Sequence, residues 1–222
     1  MSDNKCRSKE GWAFFMLSMS AFAGLCLEII LALLVEPFIY GKSLSNYTTT
    51  EIIIHWIITC ILWFFVSYIL IRIAREKLAF DVFAYKSNIE IQRLVLCIGL
   101  LIISIAVSIV DWNGFKVVKE LQYHGWLKFI FQYIYYMFEA GLFILIIVFA
   151  QRAGEIWFKK SNIPWGGILV SLTWGLAHIF TKGDLLIGTL SCLGGLFYGS
   201  VYLISKKNIF IAYPIILLMF LL

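Results

Sequence analysis

The chain has 222 residues, of which 62% are hydrophobic and 14% are charged, with a formal net charge of +5 and a mean hydropathy of +0.91. Soluble domains carry about 25% charged and about 45–50% apolar residues, so this composition excludes an ordinary soluble domain. It predicts a single integral membrane domain over residues 1–222. The net positive charge comes with no basic groove or aromatic motif, and we therefore expect no nucleic-acid partner.

Seven apolar segments follow one another and predict an all-α, polytopic transmembrane helix bundle. A spanning helix needs about 20 residues, which the first four segments reach and the fifth and the last do not. Because residues 165–222 could instead hold a re-entrant element, six or eight spans are alternatives to seven. The segments are 12–37, 52–73, 92–111, 127–151, 165–181, 185–205 and 208–222.

Lysine and arginine are unevenly divided between the two sides of the predicted bundle. Thirteen fall with the N-terminus and residues 72–93, 152–160 and 206–207, and five fall on the other side. Because cytoplasmic loops carry the excess of basic residues, we expect the N-terminus in the cytoplasm. Loop 74–91 is amphipathic and is either a segment on the membrane surface or an ordinary connection.

Two neighbouring apolar segments each carry one ionisable residue near the middle. Glu139 is the only charge of the fourth segment between Phe129 and Ala150, and His178 is the only ionisable residue of the fifth. A charge at the bilayer centre costs roughly 2.5–3.5 kcal/mol, so such residues are kept where they pair, line a cavity or take part in chemistry. Glu139 lies twelve residues before Gln151, and His178 lies thirteen after Trp165. At a helical rise both lie about 18–20 Å from the same membrane face.

A glutamate and a histidine at one depth are suited to general-base chemistry. A carboxylate can take a proton from water as the water attacks a carbonyl, and an imidazole can stabilise the oxyanion or position the water. A structural hydrogen bond, a proton relay or a substrate contact would explain the same pair. Catalytic zinc usually takes three protein ligands and no HExxH is present, so we expect no metal and no other cofactor.

Other polar residues allow more than one interpretation. A polar cluster lies at the end of the fourth segment and consists of Gln151, Arg152 and Glu155. It forms either a functional polar rim or a solvated helix end with an ion pair. Glu28 has no obvious partner in the sequence. His55 shares a helix face with a glutamate four residues earlier, and we interpret both as residues of the membrane interface.

The segment Trp174-Gly-Leu-Ala-His178 resembles the FxxxH motif of the CAAX-protease and bacteriocin-processing (CPBP) family of intramembrane proteases, with Trp174 in place of the phenylalanine. Gly195-Leu-Phe-Tyr-Gly199 and Val201-Tyr-Leu203 resemble the GLxxGxxYL segment of that family. Glu139 matches the first glutamate of its EExxxR motif, and Ala140 stands at the second. Residues 211–222 lack the last His/Asn motif, so the chain resembles a divergent member, over about 138–216 within a core of about 127–222.

The resemblance implies a glutamic-type endopeptidase of a bacterial plasma membrane. Its expected partners are a membrane-associated or prenylated peptide, whose peptide bond it hydrolyses, and the lipid bilayer. Glu139 would be the water-activating base and His178 the oxyanion or water-positioning partner. The secondary site residues are Gln151, Arg152, Glu155 and Trp174. The alternatives are a catalytically inactive relative acting in bacteriocin self-immunity or as a membrane scaffold, and a carrier that uses the Glu–His pair as a relay.

Overall fold

The computed structural model of the protein describes residues 2–222, with the side chains of residues 8–180 and 183–222. The basic side chains of Lys5, Arg7 and Lys182, which enter the charge count, lie outside these. The described chain is helical and carries no strand, which confirms the all-α prediction. The helices are α1 Ser2–Ile30, α2 Glu36–Tyr40, α3 Thr49–Leu78, α4 Ile91–Asp111, α5 Lys116–Phe158, α6 Trp165–Val170, α7 Leu176–Lys182, α8 Leu185–Ile204 and α9 Ile209–Leu221.

Five helical stretches are long and apolar enough to cross a membrane, and they support an integral membrane protein. They are residues 8–40, α3, α4, α5 and α8. The two remaining apolar stretches, Trp165–Phe180 and Ile209–Leu221, are shorter but pack in the same bundle. The number of seven spans therefore stays a prediction.

Helix ends are set by capping side chains rather than by the limits of the apolar segments. Thr48 and Glu51 form a reciprocal capping box, so α3 begins before the predicted segment. Asp184 caps α8 and Asn208 caps α9. After α3, residues 79–90 form no helix, and Val82 is only 1% exposed. This segment packs on the end of the bundle through Val82.

Helix α5 is the central element of the core. Its stretch from Leu142 to Phe149 is at most 3% exposed, because neighbouring helices cover it on several sides. On the α1 side, Ser18 Oγ donates to the carbonyl oxygen of Ile146 at 3.0 Å. Gly125, with φ 70° and ψ 164°, interrupts α5. Residues 116–124 therefore leave the axis that the rest of the helix follows.

Gly195 and Gly199, which are four residues apart on α8, serve helix packing. A Cβ atom at Gly195 would lie 2.8 Å from the backbone nitrogen of Ser171, and one at Gly199 would meet the backbone of Gly167. Helices α6 and α8 thus approach each other as closely as their backbones allow.

Salt bridges join the loops at one end of the bundle, here called the basic face, which carries residues 72–93, 152–160 and 206–207. Lys206 Nζ lies 2.8 Å from Glu90, and Lys207 Nζ lies 2.7 Å from Glu155. The hydrogen bond from Lys206 lowers the pKa of the Glu90 carboxyl. The connection between α8 and α9 is thereby fixed both to the loop before α4 and to the end of α5. The other end of the bundle is called the opposite face.

Candidate functional site

His178 is held in one orientation by its own helix. Its Nδ1 lies 2.9 Å from the carbonyl oxygen of Trp174, and the imidazole and indole centroids are 4.2 Å apart. Because a carbonyl oxygen only accepts hydrogen bonds, Nδ1 is the donor. In the neutral ring Nε2 is therefore the nitrogen that can accept a proton or a hydrogen bond.

A π-helical turn, Ser171–Gly175, lies directly before α7, the helix that carries His178. Ser171 Oγ is 2.9 Å from the carbonyl oxygen of Gly167 and 2.6 Å from that of Cys192 on α8. The turn is therefore tied to the neighbouring helix at its first residue. Such π turns are rare and are frequent at functional sites, and this one contains Trp174.

The faces that carry Glu139 and His178 meet through an aromatic contact. The rings of Phe143 on α5 and Trp174 are 4.9 Å apart and nearly perpendicular. Glu139 lies four residues before Phe143, and His178 lies four residues after Trp174. Since the helices run in opposite directions, both residues lie one turn, about 6 Å, beyond this contact toward the opposite face. Both side chains are half-buried.

Polar groups from several elements surround Glu139. Its carboxylate interacts electrostatically with the Lys116 ammonium and with the hydroxyl groups of Tyr135, Tyr136 and Tyr198. Lys116 Nζ also donates to the carbonyl oxygen of Phe220 at 2.7 Å. The neighbourhood of Glu139 thus offers one cation and several hydroxyl groups to a bound polar molecule.

A buried glutamate on the first part of α5 extends this polar region. Glu120 is 4% exposed and accepts hydrogen bonds from Tyr136 at 2.8 Å and from Tyr133 at 3.0 Å. In a straight helix Glu120 and Tyr136 would be about 24 Å apart. The break at Gly125 folds residues 116–124 back and brings them together. Glu120 was not predicted as a site residue from the sequence. The available signal was Gly125, which marks the break in the helix.

A second glutamate–histidine cluster lies between α1–α2 and α3. His55 Nδ1 is 2.9 Å from Glu36 Oε2, and its Nε2 is 3.7 Å from Glu28 Oε1. His55 and Glu36 are each 2% exposed. The π turn Leu31–Val35 directly precedes Glu36. The assignment of His55 to the membrane interface is therefore wrong, and Glu28 has a partner. The Tyr135 hydroxyl interacts electrostatically with both Glu28 and Glu139 and connects this cluster to Glu139.

Three of the secondary site residues lie at the basic face, away from Glu139. Gln151 is 1% exposed and donates to Glu155 at 2.8 Å and to the carbonyl oxygen of Ile163 at 3.0 Å. Arg152 pairs with Glu10 of α1 at 3.4 Å. Twelve helical residues separate Gln151 from Glu139, a distance of about 18 Å. The Gln151 contacts fix the turn between α5 and α6. Of the four secondary site residues, only Trp174 lies beside His178.

Two apolar grooves lie on the side of the bundle where α3 and α5 meet. The larger, of about 500 Å³, runs between α3, α5 and α9, and the smaller, of about 420 Å³, lies between α3 and α5. The residues that line them include neither Glu139 nor His178. Across the described residues, no group of three or more His, Cys, Asp or Glu side chains is arranged to hold a metal ion.

Comparison of the chain with protein-family models, with curated proteins and with solved structures gives no match.

Proposed function

We propose that the protein is an intramembrane endopeptidase of the CPBP type that hydrolyses a peptide bond in a membrane-associated or lipidated peptide. The observation that carries the proposal is the ring contact between Phe143 and Trp174, 4.9 Å apart. It brings the glutamate of one helix and the histidine of the next to the same level. The basic face would lie in the cytoplasm of a bacterium, as the excess of basic residues predicts.

In this mechanism Glu139 takes a proton from a water molecule while the water oxygen attacks the peptide carbonyl carbon. The hydrogen bond from Nδ1 of His178 to the carbonyl oxygen of Trp174, 2.9 Å long, fixes the tautomer of the neutral ring, whose Nε2 would accept a hydrogen bond from the same water. The proton held by Glu139 then passes to the leaving amine. Both residues would be catalytic, and Trp174 would position the histidine.

The test compares peptide termini in membranes that hold matched amounts of wild type, Glu139→Gln or His178→Gln. Termini formed by the wild type should fall at least about 100-fold in Glu139→Gln, since a general base contributes 10²–10⁴-fold. Glu51→Gln is the matched control, because Glu51 lies at the start of α3 and pairs with Lys42 at 2.8 Å. Identical termini in wild type and both variants, with all proteins folded, would overturn the hydrolase proposal and favour the non-catalytic relative.

A second candidate function, a proton relay of the carrier type, is favoured by the cluster of Glu36, His55 and Glu28 with Tyr135. Titratable groups there form a chain from the opposite face toward Glu139. A relay predicts a proton flux in liposomes that is lower for Glu36→Gln than for the wild type. The same substitution should leave the peptide termini in membranes unchanged. Equal flux with wild type, Glu36→Gln and empty liposomes would exclude it.

A further inference from the structure

The larger apolar groove has the form of a binding site for a hydrocarbon chain. Helices α3 and α9 form its walls and α5 forms its floor. It is open along its side, where Phe64 and Phe210 are each 55% exposed. The part of α3 from Phe64 to Ile71 extends for about 10 Å. Its polar atoms are few, and Tyr213 Oη already donates to the carbonyl oxygen of Met137 at 2.9 Å.

One basic side chain, that of Lys86, marks one end of this groove. Lys86 Nζ lies 5.7 Å from the ring centroid of Phe210, a lining residue. Lys86 is exposed and belongs to the connection between α3 and α4, on the basic face. An anion at this end of the groove would meet the Lys86 ammonium while an attached chain lies along α5.

The acidic side chains nearest to Lys86 in sequence are each bound by another cation, and Lys86 acts on the Asp81 carboxylate only at longer range. Asp81 accepts from Arg75 at 3.0 Å and from the backbone nitrogen of Phe83 at 3.1 Å, and these hydrogen bonds lower the pKa of its carboxyl. Glu90 is bound by Lys206 at 2.8 Å. Charge at the end of the groove therefore favours a negatively charged partner.

We propose that the groove between α3, α5 and α9 binds one acyl chain of an anionic phospholipid, whose phosphate contacts Lys86. The bilayer is the source of this ligand, so the site is independent of the proposed hydrolysis at Glu139. Bound lipid would fill the space between α3 and α9, each of which packs against α5.

Gly141 offers a way to close the groove without disturbing the core. It lines the groove, and a Cβ atom there would meet no atom within 4 Å outside its own helix turn. Gly141→Leu would place its side chain where the acyl chain lies. Gly99 of α4 also has open space at its Cβ position but lies outside the groove. Gly99→Leu is therefore the matched control.

Native mass spectrometry of the purified full chain would compare phosphatidylglycerol with phosphatidylcholine of the same acyl chains. We expect the wild type and Gly99→Leu to retain phosphatidylglycerol preferentially, and Gly141→Leu to retain at least about tenfold less. Lys86→Gln should weaken phosphatidylglycerol binding about fivefold, the effect of one basic side chain near an anionic surface. It should leave phosphatidylcholine binding unchanged.

Equal retention of the two lipids by the wild type would overturn the anionic preference. Undiminished phosphatidylglycerol binding by a folded Gly141→Leu would overturn the location. Should that variant fail to fold, Ser67→Phe fills the groove from the α3 wall, because Ser67 is a half-buried lining residue. Ser67→Phe should lose phosphatidylglycerol binding to the same extent as Gly141→Leu. Phosphatidylglycerol binding by Ser67→Phe at the wild-type level would contradict the proposal.

Discussion

Ionisable side chains inside the bundle are the feature that governs this protein at the level of single residues. Glu139 and His178 could be recognised from the sequence, because one charge in an otherwise apolar segment is visible without any knowledge of packing. The cluster of Glu36, His55 and Glu28 could not be predicted in this way. Its members lie on different helices, 19 and 27 residues apart for the two pairs, and no local pattern links them.

Removal of His55 should destabilise the protein strongly, because Glu36 would then be buried without its partner. We expect His55→Leu to lower the free energy of unfolding by about 3–5 kcal/mol, the usual cost of breaking a buried ion pair. Replacing both residues in His55→Leu/Glu36→Leu should recover a large part of the loss, since apolar pairs often replace buried ion pairs at little cost. Unfolding of each variant in mixed micelles would measure these differences.

If the double variant loses as much unfolding free energy as His55→Leu and Glu36→Leu lose together, His55 and Glu36 act independently. Glu51→Leu is the control, because its carboxylate lies at the start of α3 and is only partly buried. It should cost far less than His55→Leu.

At the level of helices, the apolar segments predicted which elements exist better than where they end. The segment 12–37 corresponds to a helical stretch that begins at residue 2 and continues to residue 40. Hydropathy does not detect the polar turns that extend a helix beyond an apolar core. The fold-back at Gly125 was missed for a related reason, since one residue with a positive φ leaves the surrounding hydropathy unchanged.

The contact between α6 and α8 should be sensitive to any side chain at Gly199. A valine there would meet the backbone of Gly167, and the helices would have to separate. Overpacking of this kind costs about 1–3 kcal/mol, so Gly199→Val should lower the unfolding temperature in detergent. Gly194→Ala on the same helix is the control, because its Cβ atom would lie 3.8 Å from Tyr198 Oη, an ordinary contact.

Gly194→Ala should be neutral or stabilising by up to about 1 kcal/mol, since alanine is the better helix former. Equal unfolding temperatures for Gly199→Val and wild type would mean that α6 and α8 can separate without a loss of stability.

At the level of the whole molecule, helices of unequal length share one bundle. The short helix α9 begins at the basic face and ends beside the start of α5, where Lys116 donates to the carbonyl oxygen of Phe220 at 2.7 Å. At the basic face, Lys207 before α9 pairs with Glu155 at 2.7 Å. Helix α9 is thus anchored at both of its ends by contacts with α5. Sequence length alone could not distinguish such a helix from a re-entrant element.

Cysteine labelling in intact cells tests both the orientation and the path of the short helices. In a Cys6→Ser background, Ser45→Cys and Leu185→Cys lie at the opposite face, and Ala84→Cys and Ser161→Cys lie at the basic face; all four positions are exposed. If the basic face is cytoplasmic, a membrane-impermeant maleimide should label the first pair directly. The second pair should react only after permeabilisation. The reverse pattern would contradict the cytoplasmic N-terminus. Protection of Leu185→Cys alone would show that the stretch 165–182 re-enters the membrane from the cytoplasm and leaves six spans or fewer.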